Sequence, residues 1–294
     1  MISRVTTQTM AATALRNLQS TRGELARMQD RAATLDAISK PSDDPSKTAD
    51  SLRIRAAQSA TTQYASNIDD GRGWLAAADS ALSSATGILG QVRDLTVQGA
   101  NDGALSPTQK EAIAQALEGL RSDLFAQANA NYLGRSIFAG NSDTGAAFAA
   151  DLSYSGAAGS SVQRRIDDGA TVRVDADGAA AFGVGAASVF ALVDTIVADL
   201  RSGTNVGAHL GSIDASLKAV LSEQASVGTR DARIQRAREA NVEQSGALES
   251  QRADVEDLDL TRVILDMQMQ QVTYQSALAV TAKVLQPTLM DFLR

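Results

Sequence analysis

Residues 255–294, VEDLDLTRVILDMQMQQVTYQSALAVTAKVLQPTLMDFLR, form one long stretch without glycine. Apolar residues recur along it every seven positions, and a second set lies three or four positions from the first, which is typical of a helix. The first set is Leu258, Leu265, Val272 and Ala279, and the second is Ile264, Met267, Tyr274, Leu278 and Leu285. These stripes predict a helix that is apolar on two neighbouring faces. A helix with one partner needs one stripe, so the second predicts another partner, in the same chain or in a different molecule.

Residues 5–38, near the N-terminus, are the first candidate partner of this helix. They contain no proline and one glycine, and their apolar side chains share a helical face: Leu15, Leu18, Leu25, Met28, Ala32 and Leu35. Residues 1–40 hold six basic and three acidic side chains, a net charge of +3, whereas residues 255–294 hold three basic and five acidic ones, a net charge of −2. Opposite charges favour pairing of the two ends, although ordinary solvated faces would give the same pattern. We predict that the apolar residues of both ends form an assembly interface.

The composition indicates closely packed helices and excludes several classes of function. Hydrophobic residues make up 44% of the 294 residues, but only 4% is aromatic and much of the rest is alanine. The absence of cysteine excludes disulfides and cysteine-based metal sites or nucleophiles. A net charge of −7 without a sustained basic stripe disfavours nucleic-acid binding. Because no apolar run has the length of a membrane span or a secretory signal, we expect no membrane insertion, and either a cytoplasmic location or export without a cleaved signal.

Prolines mark the predicted helix boundaries. Pro41 and Pro45 are expected to end the first helix and to start the second. Ser106, Pro107 and Gln109 predict a further helix start, with serine as the N-cap, proline at the first helical position and glutamine three residues after the cap. The helices before and after this point should form a hairpin with matching apolar seams, which Trp74, the only tryptophan, is expected to anchor.

The middle of the chain differs in composition from both ends. Residues 141–187 are rich in glycine, alanine, serine and aspartate, with β-like segments at 162–166 and 171–174, which indicates a small β-containing insert or a mobile surface lobe. The predicted fold is mainly α, with long antiparallel helices that form a terminal coiled coil and a rod-like bundle. We assign residues 1–40 and 255–294 to the coiled coil, 41–140 and 188–254 to the bundle, and 141–187 to the insert.

No motif supports catalysis, a cofactor or a metal site. His209 is the only histidine, so neither a catalytic triad nor a multi-histidine metal site is available, and we expect it at the surface. Asp175, Asp177 and Gly178 resemble a fragment of a calcium loop, but no carboxylate follows at the required distance. The acidic residues at 254, 256, 257 and 259 are interpreted as a solvated face or as salt-bridge partners of the basic N-terminal region. We therefore expect a protein that is not an enzyme.

Four motifs resemble the bacterial flagellin family. They are KPSDDPSKTADSLRIR at 40–55, YASNIDDGRGWLAAADSALSSATGILGQVRDLTVQGAND at 64–102, YLGRSIFAGN at 132–141 and QSALAVTAKVLQPTLMDFLR at 275–294. The last two motifs narrow the resemblance to the hook-associated branch of the family. The resemblance as a whole covers residues 1–140 and 190–294. The chain departs from its relatives at TLDAISKPSDD, where a serine-glycine-lysine turn is usual. It also lacks the long glycine- and alanine-rich segment of a filament flagellin.

The resemblance implies a subunit that joins the hook of the bacterial flagellum to its filament. It implies export in the unfolded state through the flagellar export channel, without a cleaved signal, and an inner tube made of the terminal helices. The implied partners are further copies in a ring or short helical zone, a neighbouring hook-associated protein, flagellin, and an export chaperone that holds the C-terminal region. A filament-forming flagellin is the nearest alternative, and subunit copy number would distinguish it. A coiled-coil adaptor or a surface ligand-binding module would be excluded by finding the chain in sheared flagella.

The excess of apolar surface on the terminal helices suggests how such assembly would work. Ordering about 70 terminal residues costs about 1 to 2 kcal/mol each, more than one apolar seam returns. We therefore predict that the ends are largely disordered in the monomer and fold when neighbouring subunits cover the second stripe.

Overall fold

The computed structural model describes residues 2–38, 40–101, 105–157 and 159–285, with side chains for residues 9, 10, 12–38, 40–101, 105–157 and 159–283. Within these ranges the chain forms seven α-helices and two small antiparallel sheets, which confirms the predicted mainly α fold. It divides into two compact units. The first comprises Met1–Ser59 and Ser245–Arg294, and the second comprises Ala60–Gln244.

The first unit is built on two long helices from opposite ends of the chain. Helix α1 (Ile2–Thr34) and helix α7 (Leu260–Leu285) pack against each other in antiparallel directions, so the predicted pairing of the two ends is confirmed. Helices α2 (Pro45–Gly99) and α6 (Leu210–Glu256) contribute residues to both units. Pro45 opens α2 as predicted.

Helix α1 ends earlier than the sequence predicts. Leu35 has a left-handed φ of 62°, so the helix stops at Thr34. The chain then pairs with the residues that end α6. The Ala37 N–H donates to the Glu256 carbonyl at 2.8 Å, and the Leu258 N–H donates to the Leu35 carbonyl at 3.1 Å. This bridge gives partners to backbone groups that the ends of the helices would otherwise leave unpaired.

The sequence predicts one helix through residues 255–294, but the C-terminal helical region is interrupted. Helix α6 runs through Gly228 to Glu256, and α7 begins at Leu260. The Asp259 carboxylate accepts a hydrogen bond from the Arg262 N–H at 3.2 Å, which caps the new helix.

The core of the second unit draws on four helices. These are α2, α3 (Pro107–Ala128), α5 (Val189–Ser202) and α6. Their buried side chains include Leu82, Leu89, Val92, Leu117, Leu124, Phe190, Ile196, Ile213 and Ile234. Trp74 is also buried, and its ring meets the ring of Tyr132, which follows α3, edge-on with 5.6 Å between centroids.

The start of α3 is the predicted capping box. The Ser106 hydroxyl accepts a hydrogen bond from the Gln109 N–H at 3.3 Å, and the Gln109 side-chain oxygen accepts one from the Ser106 N–H at 2.8 Å. Pro107 occupies the first helical turn, where a backbone N–H has no acceptor within the helix. The N–H that proline lacks therefore costs the helix no hydrogen bond. Two amide groups at this helix start thus have partners that the sequence itself specifies.

Two short hairpins provide the strands. Strand β1 (Asn131–Tyr132) pairs with β2 (Arg135–Ser136) directly after α3. Strand β3 (Gln163–Arg165) pairs with β4 (Thr171–Arg173), where β-like segments were predicted. Both pairs are antiparallel, with Arg164 opposite Val172 in the second.

Residues 141–187 share the core of the second unit. After the strands comes a short helix, α4 (Gly178–Phe182). Phe148 and Phe182 pack with Phe138 and Phe190, with ring centroids 5.3 to 6.0 Å apart. The predicted division into coiled-coil, bundle and insert domains stays a prediction about the assembled protein. Within the described ranges, no helix combines the length and the apolar content that a membrane span requires.

Candidate assembly interface

The seam between α1 and α7 follows a heptad pattern on both helices. Its positions on α1 are Ala14, Leu18, Thr21, Leu25, Met28 and Ala32, and its positions on α7 are Val263, Met267, Gln270, Tyr274, Ala277 and Thr281. Alternating spacings of three and four keep one face of each helix toward the other. Thr281 is buried and the others are only half-buried. Half of these positions carry alanine, threonine or glutamine, so the seam buries little apolar surface.

A polar layer interrupts the seam. The Gln270 side-chain amide donates to the Glu24 carboxylate at 2.8 Å and lies 3.5 Å from the Thr21 carbonyl oxygen. Glu24 is next to the seam position Leu25, and both members of the hydrogen bond are half-buried. Separating them would leave two polar groups without partners in a partly apolar interface, which is unfavourable.

The face of α7 opposite the seam carries exposed apolar residues. At about 100° of rotation per residue, Leu265, Met269 and Val272 project away from α1, and these three residues are the outer face. Their exposed fractions are 58%, 65% and 61%. Between the two faces, Leu260, Ile264, Leu278 and Val280 are also exposed. Charged residues occur between 260 and 283 only at Arg262, Asp266 and Lys283.

The structure separates the predicted interface residues into distinct groups. Leu18, Leu25, Met28, Met267 and Tyr274 are in the seam, whereas Leu265 and Val272 are on the outer face. Leu15, Leu35, Ile264 and Leu278 are exposed at other positions, and Leu258 is half-buried in the break before α7. The side chain of Leu285 is outside the described residues. The residues of the two predicted stripes of α7 are thus divided among the seam, the outer face and the positions between them.

Sequence reasoning missed several residues of both faces. In the seam these are Val263, Gln270, Ala277 and Thr281, and on the outer face it is Met269. A search for apolar repeats passes over glutamine and threonine. The signal that could have found them is their spacing of three and four from Met267 and Tyr274.

An ion-pair network holds the end of α6. The Glu256 carboxylate accepts hydrogen bonds from Arg55 at 2.7 and 2.9 Å, from Arg252 at 3.3 Å, and from the Ser51 hydroxyl. Glu256 is buried, and its hydrogen bonds with Arg55 lower its pKa to about 2, against the opposing effect of burial. This acidic residue is therefore neither part of a solvated face nor a partner of the basic N-terminal region, which corrects the prediction.

The other candidate polar residues have structural partners. His209 is half-buried, with 2.7 Å between its imidazole nitrogen and the Asp199 carboxylate. The buried Asp175 carboxylate pairs with Arg173 at 2.8 Å, and Asp177 caps α4. Among the residues that the structure describes, no group of three or more histidine, aspartate or glutamate side chains could hold a metal ion.

Both ends of the chain match regions of known proteins. Residues 5–143 match the bacterial flagellin N-terminal helical region, and residues 210–293 match the bacterial flagellin C-terminal helical region. Flagellar hook-associated protein 3 of Salmonella typhimurium is 25% identical over 302 residues, which cover 93% of this chain and 94% of that protein.

Two solved structures have a similar fold. A protein from Vibrio parahaemolyticus, assigned as flagellar hook-associated, has a TM-score of 0.67 at 23% identity and covers 73% of this chain and 100% of its own. The flagellar junction protein of Legionella pneumophila has a TM-score of 0.58 at 14% identity and covers 71% of this chain and 100% of its own. At these identities the similarity shows a shared fold.

Proposed function

Because the chain belongs to the bacterial flagellin family, we propose that it is a structural subunit of the flagellum that joins the hook to the filament. One observation carries this proposal. The similarity to flagellar hook-associated protein 3 of Salmonella typhimurium extends over 93% of this chain and 94% of that protein, so it includes the middle of the chain as well as both helical ends. The location is then the bacterial flagellum, and the role is structural and not enzymatic.

The outer face of α7 supplies the attraction between subunits. Leu265, Met269 and Val272 leave most of their apolar surface in water in a single chain. Burying a side chain of this kind contributes about 1.5 to 3 kcal/mol. In the flagellum, helices of neighbouring subunits cover this face. A contact between unlike surfaces does not close as a dimer, and its repetition gives a ring or a short helical zone.

The terminal helices fold as part of this assembly. Within one chain the α1–α7 seam only half-buries most of its residues and contains the polar pair Glu24 and Gln270. Such a seam is too weak to offset the entropy of ordering two long helices. The ends of the monomer are therefore largely disordered, and cover from neighbouring copies orders them.

Each expected partner has a role in this assembly. Disordered ends suit passage through the flagellar export channel in the unfolded state, without a cleaved signal. A chaperone in the cytoplasm covers the apolar C-terminal region before export, because a large exposed apolar patch favours aggregation. After export, the neighbours are other copies of the chain, a hook-associated protein and flagellin.

A deletion strain tests the proposal. Cells that lack the chain should carry hooks without attached filaments, release flagellin into the medium and fail to swim, because nothing joins the two structures. Electron microscopy of isolated hook–basal bodies and immunoblots of the medium measure this. Supplying the wild-type chain from a plasmid should restore filaments and swimming. Attached filaments and normal swimming in the deletion strain would contradict the proposal.

A filament-forming flagellin is the second candidate, because the matched family regions are those of bacterial flagellin itself. Copy number separates the two functions. A junction subunit occupies a short zone at the hook end of each filament, whereas a filament subunit extends along its whole length. Labelling with gold-conjugated antibody and electron microscopy of sheared flagella show which distribution is present. Label along the whole filament would exclude the junction function.

A further inference from the structure

Leu133 combines an unfavourable backbone conformation with an exposed apolar side chain. It forms the two-residue loop between β1 and β2 together with Gly134, because Tyr132 pairs with Arg135. The φ angles of the two loop residues are 50° and 78°, and such a loop normally carries asparagine or aspartate before the glycine. Leu133 is 78% exposed, so it adds little to the core of its own chain. Backbone strain that brings the fold no packing indicates a function.

An apolar groove lies elsewhere on the second unit, between α2 and α3. Its volume is about 250 Å³, and its apolar lining consists of Leu95, Leu105, Ala112, Ile113 and Ala116. Leu95 and Leu105 are half-buried and both alanines are exposed, so the groove leaves apolar surface in water. An apolar cavity of about 150 Å³ can bind benzene, so a groove of this volume has room for a leucine side chain.

We propose that the Leu133 side chain of one copy binds in the groove between α2 and α3 of a second copy. Because Leu133 is exposed, it does not fill the groove of its own chain. The edges of the two surfaces carry opposite charges. Arg135 is exposed beside Leu133, and Asp94 is exposed one helical turn before Gln98, which also lines the groove. An apolar centre with a polar rim is typical of protein interfaces.

This contact deepens the proposed function, on which it rests. It joins two unlike surfaces of the second unit, so each copy can bind one neighbour through Leu133 and another through its groove, without closing as a dimer. Interfaces that hold two proteins together bury about 1,200 to 2,000 Å², far more than one side chain supplies. The contact therefore forms only where the terminal helices already hold copies side by side at high effective concentration.

Leu133→Asn separates a role in assembly from a role in folding. Asparagine suits the first position of this loop, so the urea midpoint of the second unit should stay the same or rise. Variant and wild type are expressed together with different epitope tags, and their ratio in sheared flagella is compared with their ratio in the cell extract. We expect the variant to be depleted at least about tenfold in the flagella.

Leu133→Met is the matched control, because it keeps a large apolar side chain in the same loop. Its incorporation should equal that of the wild type within about twofold. Equal incorporation of Leu133→Asn and wild type would overturn the inference. A lower urea midpoint of Leu133→Asn would also overturn it, because Leu133 would then serve the fold of its own chain.

Engineered cysteines test whether the groove is the binding site, since the chain contains no cysteine. Leu133→Cys with Ala116→Cys should give disulfide-linked oligomers when sheared flagella are mildly oxidised, and neither single variant should. Ser122→Cys replaces Ala116→Cys in the control, because Ser122 is exposed and lies about 120° around α3 from Ala116. A disulfide requires Cα atoms within about 7 Å, so the linked fraction of incorporated chains should be at least about ten times larger with Ala116→Cys.

The outcomes distinguish this inference from the proposed function. Incorporation of the Leu133→Cys and Ala116→Cys chain without the disulfide, or equal linkage through Ser122→Cys, would overturn the inference and leave the flagellar role intact. Absence of the wild-type chain from sheared flagella would instead overturn the proposed function, on which the inference rests.

Discussion

The second compact unit covers its apolar side chains, whereas the terminal coiled coil does not. In the second unit, Ile68, Leu82, Phe190 and Ile234 have no exposed surface, and phenylalanine rings pack with centroids 5.3 to 6.0 Å apart. In the coiled coil, most seam residues are half-buried, and the outer face of α7 is 58% to 65% exposed. One chain thus contains a region with a complete core and a region with an incomplete one.

The difference follows from the number of layers that meet in each region. Helices α2, α3, α5 and α6 contribute to common clusters, so a side chain there has neighbours on several sides. The α1–α7 pair covers one stripe of each helix, which leaves the outer face of α7 in water. The second unit can therefore be stable within one chain, while the coiled coil needs surfaces from other subunits.

The largest expected effect is a loss of assembly without a loss of folding. Leu265→Asp should abolish incorporation into flagella, because burying a carboxylate without a partner is strongly unfavourable. Leu278→Asp should act in the same way. The second unit should keep its free energy of unfolding, since neither residue belongs to it. Immunoblots of sheared flagella and urea unfolding measure the two properties.

Leu265→Met is the matched control, because it retains an apolar side chain of similar size and should assemble. Normal incorporation of the aspartate variants would show that the exposed apolar side chains of α7 are not an interface. A large fall in the stability of the second unit would contradict the separation between the two regions.

A substitution in the core of the second unit should lower its free energy of unfolding. Phe190→Ala removes a ring from the phenylalanine cluster and should lower the free energy of unfolding by about 3 to 5 kcal/mol, because the cavity cannot be filled. Urea titration followed by circular dichroism measures the change. Leu221→Ala, at an exposed position of α6, should cost about 0.5 kcal/mol or less. Similar losses for both variants would contradict the complete core.

A smaller effect is expected at the break between α6 and α7. The pKa of Glu256 is lowered to about 2 in the folded chain, mainly by its hydrogen bonds with Arg55, from the ordinary value of 4.5. Its contribution to stability is therefore complete above about pH 5 and is lost as the pH falls toward 2. Glu256→Gln should cost about 1 to 3 kcal/mol at pH 7, and the cost should shrink below pH 4.

Thermal unfolding of wild type and Glu256→Gln between pH 7 and pH 3 measures this dependence. Glu249→Gln is the control, since Glu249 forms an exposed ion pair with Arg252 that contributes little. A difference between wild type and Glu256→Gln that stays constant over this pH range would show that the ionised carboxylate does not stabilise the break.

The smallest expected effect concerns the start of α3. Ser106→Ala removes one half of the capping box and should lower the stability of the second unit by about 1 kcal/mol. Thr108→Ala lies in the same helical turn without a capping role and should be nearly neutral. Urea unfolding compares the two variants. Equal losses of stability in the two variants would show that Ser106 does not stabilise the second unit by capping α3.

Local chemistry made some elements predictable. Three features each follow from a few residues with specific roles. They are the helix cap at Ser106, Pro107 and Gln109, the strands near 163 and 171, and the pairing of the two chain ends. The break after Glu256 was not predictable, because it depends on a bridge and ion pairs to residues about 200 positions earlier. The seam face of α7 was predicted only in part, because polar and small residues occupy half of its positions.

We infer that one chain cannot complete the core of its own terminal helices. Amide hydrogen exchange of dilute, monomeric full-length protein tests it most directly. We expect residues 9–34 and 260–283 to exchange at nearly the rate of an unfolded chain, and the buried helices of the second unit to be protected at least about a thousandfold. Protection of the terminal helices equal to that of the second unit would contradict the account.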